Sequence, residues 1–310
     1  MISIVIPTYN RADILAECLD RLAHQRDVDG LYDIIIVDDG GSDRSSEVVS
    51  TFQKNYPGIS VRYFKKENQG QGIARNYGVR QARGDVIIFI GDDILVPDDF
   101  VFRHLEFHRN HPEKNAGLLG FIEWDHRLPD TPLYTFLTNG SIILGRFGGH
   151  QFAFEKLEGR SKASYDFFYT SNISLKRELL LEEPFDENFL AYGWEDIELG
   201  YRLMMKHGFR LYFDKNVSVA HYHPMTEDAL KKRMYVIGKS IVLFDQKYPE
   251  LGKIPRGVKY FLFFVFGSTP MVGFFSLMKN IFGGAFHYWY YFALSKRCFL
   301  LGLQDGIKSL

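Results

Sequence analysis

The run Ile87-Ile88-Phe89-Ile90-Gly91-Asp92-Asp93 constrains the chain more than any other stretch. Its continuous β-branched and aromatic residues read as a strand buried on both faces of a parallel sheet, with helices covering each side. It then stops on adjacent carboxylates. Open α/β sheets take ligands in the crevice beyond the carboxyl ends of their strands, so Asp92 and Asp93 stand where a ligand would be met. Side by side they repel each other unless a cation or hydrogen-bond donors stabilise them. The alternative is that they only shape the next turn, where Asp is common.

The rest of the first hundred residues repeats the same rhythm. Strand signals at 2–7, 34–37, 61–64 and 86–90 alternate with helical spacing at Ala12, Leu15, Leu19 and Leu22, at Val48, Val49 and Phe52, and at Ile73, Ala74, Tyr77 and Ala82. Such alternation predicts βαβ units and a mostly parallel sheet. A further strand is expected over 118–124, then a loop-rich region over 129–166, a helix over 195–207, short strands at 209–213 and 217–220, and a last helix over 226–248. We therefore expect an α/β domain over 1–225 and a helical extension over 226–310.

Composition excludes several classes. The 310 residues are 46% hydrophobic and 24% charged, as in a folded protein, and a formal net charge of −1 gives no reason to expect a nucleic-acid partner. The two cysteines, Cys18 and Cys298, suggest neither a disulfide framework nor a thiolate metal site. Cys18 lies on the helical stripe between Leu15 and Leu22 and reads as a small buried hydrophobe. With a strand beginning at Ile2 and no leader pattern, a cytoplasmic location is the expectation.

Three strand ends should share one crevice. The first carries Pro7, Thr8, Tyr9, Asn10 and Arg11, the second Asp38 and Asp39, and the fourth Asp92 and Asp93. A carboxylate at the second could accept from the imide N–H of a nucleobase, with Thr8 and Tyr9 lining the pocket by hydrogen bonding and stacking. Asn68, Gly70 and Arg75 could face the other side of the base and a diphosphate, whose oxygens a guanidinium matches. Glycines 40, 41, 70 and 72 form neither a GxGxxG nor a Walker loop, so a dinucleotide or ATP cradle is not supported.

Taken together, Ile4-Val5-Ile6-Pro7-Thr8-Tyr9-Asn10-Arg11, Ile36-Val37-Asp38-Asp39-Gly40-Gly41-Ser42-Asp43, Asn68-Gln69-Gly70 with Ala74-Arg75-Asn76, Gly91-Asp92-Asp93, Thr170-Ser171-Asn172-Ile173-Ser174-Leu175 and Gly193-Trp194-Glu195-Asp196 resemble the family 2 glycosyltransferases. Those are inverting enzymes of the GT-A fold, a Rossmann-like sheet that takes a nucleotide-diphosphate sugar. The resemblance covers about residues 1–225. Where the family has Asp-Asp-Asp or Asp-x-Asp, Gly91 replaces the first acid. The resemblance then rests the metal contact on Asp93 and places Asp92 nearer the ribose. It implies a Mn²⁺ or Mg²⁺ cofactor completed by a late histidine, His221 with His223 as the alternative, and a mixed Asp/His shell suits Mn²⁺ somewhat better. It also implies Asp196 as general base, with Glu195 beside it at a helix start and Trp194 and Tyr192 able to stack on acceptor sugar.

Between Lys253 and Leu310 seven Lys/Arg face one acid, Asp305, among dense Phe, Tyr and Trp. Residues 258–278 could cross a bilayer by length. Gly267, Ser268, Thr269 and Pro270 interrupt them, however, and Trp289, Tyr290 and Tyr291 beside Lys296 and Arg297 look like interface anchors. The expectation is in-plane helices, or a shallow re-entrant hairpin, on an anionic inner leaflet. An oligomer surface, a cover for the catalytic domain and a spanning helix are the alternatives. The functional expectation is metal-dependent transfer of a sugar to a hydroxyl on a glycan or lipid-linked acceptor. A non-catalytic sugar-nucleotide-binding subunit of a membrane assembly is the rival, and a nucleotidyltransferase, lacking its Gly-rich basic signature, a weaker one.

Overall fold

A computed structural model describes residues 1–140, 151–190 and 193–309. In chain order the elements are β1 (Ile2–Thr8), α1 (Ala12–Ala23), β2 (Tyr32–Asp38), α2 (Ser45–Asn55), β3 (Ser60–Lys65), α3 (Gln71–Gln81), β4 (Val86–Phe89), β5 (Ile94–Leu95), α4 (Phe100–Asn110), β6 (Ala116–Trp124), α5 (Pro132–Asn139), β7 (Lys162–Ala163), β8 (Ile173–Lys176), α6 (Arg177–Glu182), α7 (Glu195–His207), β9 (Arg210–His221), α8 (Glu227–Lys247), α9 (Gly257–Phe266), α10 (Thr269–Phe282) and α11 (Ala285–Lys308).

The chain divides into two compact units, and not at a single cut near residue 225. The first comprises Met1–Leu128, Phe154–Leu190 and Glu195–His223; the second takes Pro129–Ala153, Ala191–Trp194 and Pro224–Leu310. All the described strands belong to the first unit, in the order β3-β2-β1-β4-β8-β6-β9-β5 with β7 on β9. β3, β2, β1 and β4 are mutually parallel, and every residue of β1 and β2 is buried, as uninterrupted apolar runs require. β8 then enters antiparallel to both β4 and β6. The sheet is therefore mixed beyond its parallel half.

Two segments differ from their sequence reading. The expected short strands at 209–213 and 217–220 are one strand, β9, whose register against β6 shifts between Gly120 and Phe121, where Asp214 and Ser218 are the successive partners. The extra residues make a bulge, so the polar Asp214-Lys215-Asn216 segment does not end the strand. β8, not anticipated as a strand, alternates apolar Ile173 and Leu175 with Ser174 and pairs Ile173 with Phe89, the last residue of β4.

The second unit is helical. Thr226 caps α8 by accepting from the Ala229 N–H at 3.1 Å. α8 and α11 approach backbone to backbone: a Cβ at Gly302 would lie 1.9 Å from the Tyr235 carbonyl oxygen, and one at Gly238 would lie 2.1 Å from that of Phe299. Around that approach Ile241, Val242, Phe299, Leu300 and Leu303 form a buried cluster against which Trp194 packs. No single described helix is long and apolar enough to cross a membrane; α9 and α10 together reach the composition but are bent by 54°.

Candidate active site

The α/β unit gathers its polar side chains at the carboxyl edge of the parallel strands. Asp92 and Asp93 follow β4, Thr8 ends β1, and His221 ends β9, where it pairs with Ile94 of β5 and Trp124 of β6. His221 Nε2 and His223 Nδ1 both reach the same oxygen, Oδ2 of Asp93, at 3.1 and 2.9 Å. His221, expected with His223 as the alternative, is thus joined by it. Trp124 stacks on His221 with ring centroids 5.2 Å apart, and His221 stacks on His223 at 5.3 Å, so the imidazoles are held face to face. One carboxylate oxygen and two ring nitrogens, all within 4.8 Å of one another, make a donor set that fits a divalent cation of intermediate hardness.

Asp92 faces the other way. It accepts from Thr8 Oγ1 at 2.7 Å and from Arg11 Nη1 at 3.0 Å. The second guanidinium nitrogen of Arg11 lies 2.9 Å from Asp93 Oδ2 and 3.2 Å from His223 Nδ1. Arg11, expected to bind donor, therefore bridges both acids. Burial pushes the Asp92 carboxyl up to about 7, with Arg11 opposing and Asp93 adding to the rise. Burial would raise Asp93 too, but His221, His223 and Arg11 hold it well below the usual carboxylate range. Cys18 lies fully buried near this pair. Burial, then the charges of Asp92 and Asp93, push its thiol well up, which leaves it an inert core residue.

At the end of β2 the two acids hold turns. Asp38 accepts from the Gly41 N–H at 2.7 Å and from the Tyr63 hydroxyl, and is 2% exposed. Asp38, expected at the donor, thus holds its own turn. Asp39 accepts from the N–H groups of Gln69 and Gly70 at 3.0 and 2.8 Å and pairs with Lys66, which pins the 66–70 loop against the strand end. Its Oδ2 accepts only the Gly70 N–H among the described residues, which uses one of that oxygen's two lone pairs. Gly70 has φ +99°, and a Cβ there would meet the Leu190 carbonyl oxygen at 2.8 Å, so only glycine fits this turn. Asn10, also left-handed at φ 53°, accepts from the Ser42 N–H at 2.7 Å. Pro7 is buried beneath the edge, while Tyr9, 49% exposed, and the exposed Asn68 present their side chains to solvent.

The acidic pair at the start of α7 meets Arg75 from α3. Arg75 Nη1 lies 3.3 Å from Asp196 Oδ1 and 3.6 Å from Glu195. Asp196 Oδ2 also accepts from the Thr170 hydroxyl at 2.7 Å and its N–H at 3.2 Å. Thr170 lies three residues before β8, whose Ile173 pairs with Phe89 at the end of β4. Asp196 therefore stands at the same sheet edge as Asp93. Glu195, expected beside the base, is 3% exposed and buried next to the guanidinium. Arg75, expected on a diphosphate, spends Nη1 on these acids and Nη2 on Gln71, and its buried Nε lacks a partner among the described residues.

Of the acceptor residues expected from sequence, Tyr192 lies outside the described residues. Trp194 belongs to the helical unit, where its indole N–H donates to the Ile237 carbonyl at 3.1 Å and its ring meets Phe244 at 5.0 Å. That is a packing role where the sequence suggested sugar stacking. Thr170 and Trp124 went unassigned by sequence reasoning. Thr170 opens a quoted segment and was legible as a candidate; nothing local marks Trp124.

The sequence profile described as Glycosyl transferase family 2 matches residues 3–162. The chain is 30% identical over 261 residues to the uncharacterized glycosyltransferase YfnE of Bacillus subtilis, covering 72% of this chain and 65% of that protein. It thus spans a little under two thirds of that relative's length. It is also 30% identical over 258 residues to the amylovoran biosynthesis glycosyltransferase AmsB of Erwinia amylovora, covering 80% and 78%. Among solved structures, the mannosyltransferase PcManGT of Pyrobaculum calidifontis, in complex with GDP-Man and Mn²⁺, superposes with a TM-score of 0.64 over 99% of this chain and 87% of that one. At 16% identity, that likeness speaks to the fold alone.

Proposed function

The chain belongs to glycosyl transferase family 2, with a GT-A fold, and on that premise we propose that it transfers a sugar, with inversion, from a nucleotide-diphosphate donor to an acceptor hydroxyl. One observation carries the reading: an acid held by an arginine and a threonine stands at the same strand edge as a carboxylate on which two imidazoles converge.

The nucleoside is assigned to the ends of β1 and β2. There the exposed Tyr9 ring can stack on a base, and the second lone pair on Asp39 Oδ2 can accept its N–H. Asp92, tied to Thr8, borders the ribose side. Asp93, His221 and His223 would hold a divalent cation, which, when bound, stabilises the charge developing on the departing diphosphate. The oxygen and nitrogen donors favour Mn²⁺ over Mg²⁺. Asp196 then receives the hydroxyl proton as the acceptor oxygen bonds to the anomeric carbon and the bond from that carbon to the diphosphate oxygen breaks. Thr170 and Arg75 fix that carboxylate in place.

The acceptor we propose is a glycan or lipid-linked glycan at the cytoplasmic face of a membrane. It is supported by the polysaccharide named in the AmsB description and by the apolar C-terminal helices. A thermal-shift series with UDP-, GDP- and dTDP-sugars, with and without Mn²⁺, should show one nucleotide class raising the midpoint and Mn²⁺ enlarging the rise. Absence of any shift across the series would overturn the reading. Asp196→Asn should lower transfer by about 10²–10⁴-fold while keeping the donor-induced shift. Unchanged turnover would remove Asp196 from the chemistry.

A further inference from the structure

The helical unit leaves a large apolar surface bare. On α9, Val258, Phe261 and Phe264 are 76%, 62% and 56% exposed, and on α10 Leu277, Ile281 and Phe282 are 55%, 59% and 66% exposed. The inner sides of these helices are occupied. Phe263 meets Phe299, and Phe266 and Phe275 stack on Trp289, all against α11. The bare outer faces are therefore not the residue of a poorly packed core. Helices of 10 and 14 residues are about 15 and 21 Å long, each short of an apolar bilayer core of about 30 Å, and they meet at 54°.

Beside this surface lies a cation without an anion. Lys296 is 6% exposed, and its ammonium sits 4.4 Å from the Phe263 ring centroid and 4.8 Å from that of Phe292. It makes no hydrogen bond or ion pair among the described residues. The Lys259 ammonium lies 5.9 Å from the same Phe263 centroid. Burial, with Lys259 adding repulsion, pushes Lys296 down to about 8. Nearby, Arg297 donates to Thr269 Oγ1 at 2.6 Å, tying α11 to the first turn of α10. Elsewhere in the unit Lys279 pairs with Glu227 and Arg256 with Asp245. A buried ammonium held by rings and facing a second ammonium is stabilised most by an incoming anionic oxygen.

We propose that the outer faces of α9 and α10 lie in the plane of an anionic bilayer, and that Lys296 and Lys259, flanking the Phe263 ring, receive the phosphate of a lipid headgroup. The charge pattern selects this occupant. Seven Lys/Arg against one acid from Lys253 to Leu310 suit an anionic leaflet, whereas a second copy of the chain would bring the same positive surface against itself. This goes beyond the transfer reading and does not depend on it, because none of these side chains belongs to the α/β unit.

The test is co-sedimentation of the full chain with vesicles of phosphatidylcholine, alone or with about one third phosphatidylglycerol. The native chain should sediment with the mixed vesicles and far less with phosphatidylcholine alone. Phe261→Ser combined with Phe282→Ser should weaken binding to mixed vesicles by roughly tenfold or more, since two exposed aromatic side chains that the bilayer would bury are lost. Lys259→Gln, at an exposed position that cannot disturb packing, and Lys296→Met, which replaces a buried charge by an apolar chain, should each weaken it about fivefold. A native chain that dimerises and leaves both vesicle types in the supernatant would overturn the proposal. So would equal binding to both vesicle types, or undiminished binding by either lysine variant.

Discussion

Arg11 reaches the same Asp93 oxygen on which the two imidazoles converge. Its guanidinium is 2.9 Å from that oxygen, so it would compete with a metal ion for it. A single and a double positive charge about 4 Å apart would repel by roughly 8 kcal/mol at an effective dielectric of about 20, so an ion held at Asp93 would favour an arginine swung away from it. Arg11→Met should therefore tighten Mn²⁺ binding in the absence of nucleotide by roughly tenfold or more, read from the paramagnetic resonance of free Mn²⁺. It should also lower the metal-free melting temperature, because Asp92 and Asp93 lose their counter-charge, and added Mn²⁺ should restore it. Unchanged or weaker metal affinity would show that the guanidinium and the ion do not compete. At this scale the sequence was legible where a side chain stands at the end of an element: Asp93 after β4 and His221 at the end of β9 meet at hydrogen-bond distance, and Asp196 opens α7 at the same sheet edge. It was not legible where a side chain turns back. Asp38 reads like a ligand contact but points into its own turn, and nothing in the spacing of Arg11 shows that it bridges two acids 81 and 82 residues away.

Among the elements, the parallel half of the sheet could be read from continuous apolar runs because burial on both faces leaves no alternation to interpret. β8 could not, since Ser174 sits in its middle. That serine is buried because His104 and His108 of α4 each approach its hydroxyl at 2.8 Å, a satisfaction visible only once the helix packs on the strand. The close approach of α8 and α11 was equally hidden, as Gly238 and Gly302 look like weak points in helices until a carbonyl is found where their Cβ would be. Gly302→Val places atoms against the Tyr235 carbonyl and should destabilise the helical unit by about 1–3 kcal/mol, or more if the backbone cannot move. Urea denaturation followed by far-UV circular dichroism would register the loss, and a midpoint equal to that of the native chain would show that the helices can separate without penalty.

For the molecule as a whole, the same buried histidines make stability depend on pH. Burial pushes His104 down to about 3 and His108 down to about 2, with Lys176, His104 and His111 acting on His108 in the same direction. In the unfolded chain each protonates near 6.5. Below that pH the unfolded state binds more protons than the folded one, so stability is full above about 6.5 and declines as pH falls, by up to about 1.4 kcal/mol per unit for each histidine. The denaturant midpoint of the native chain should drop between pH 7 and pH 5, and His108→Gln should flatten part of that drop; equal midpoints at the two pH values would refute the assignment. The order in which the sheet is laid down carries a last consequence. Asp93 is translated early, but its imidazole partners hang from β9, 128 and 130 residues later. A nascent chain can therefore lay down β1, β2 and β4 before either imidazole that converges on Asp93 has been translated, so the edge is drawn first and furnished last.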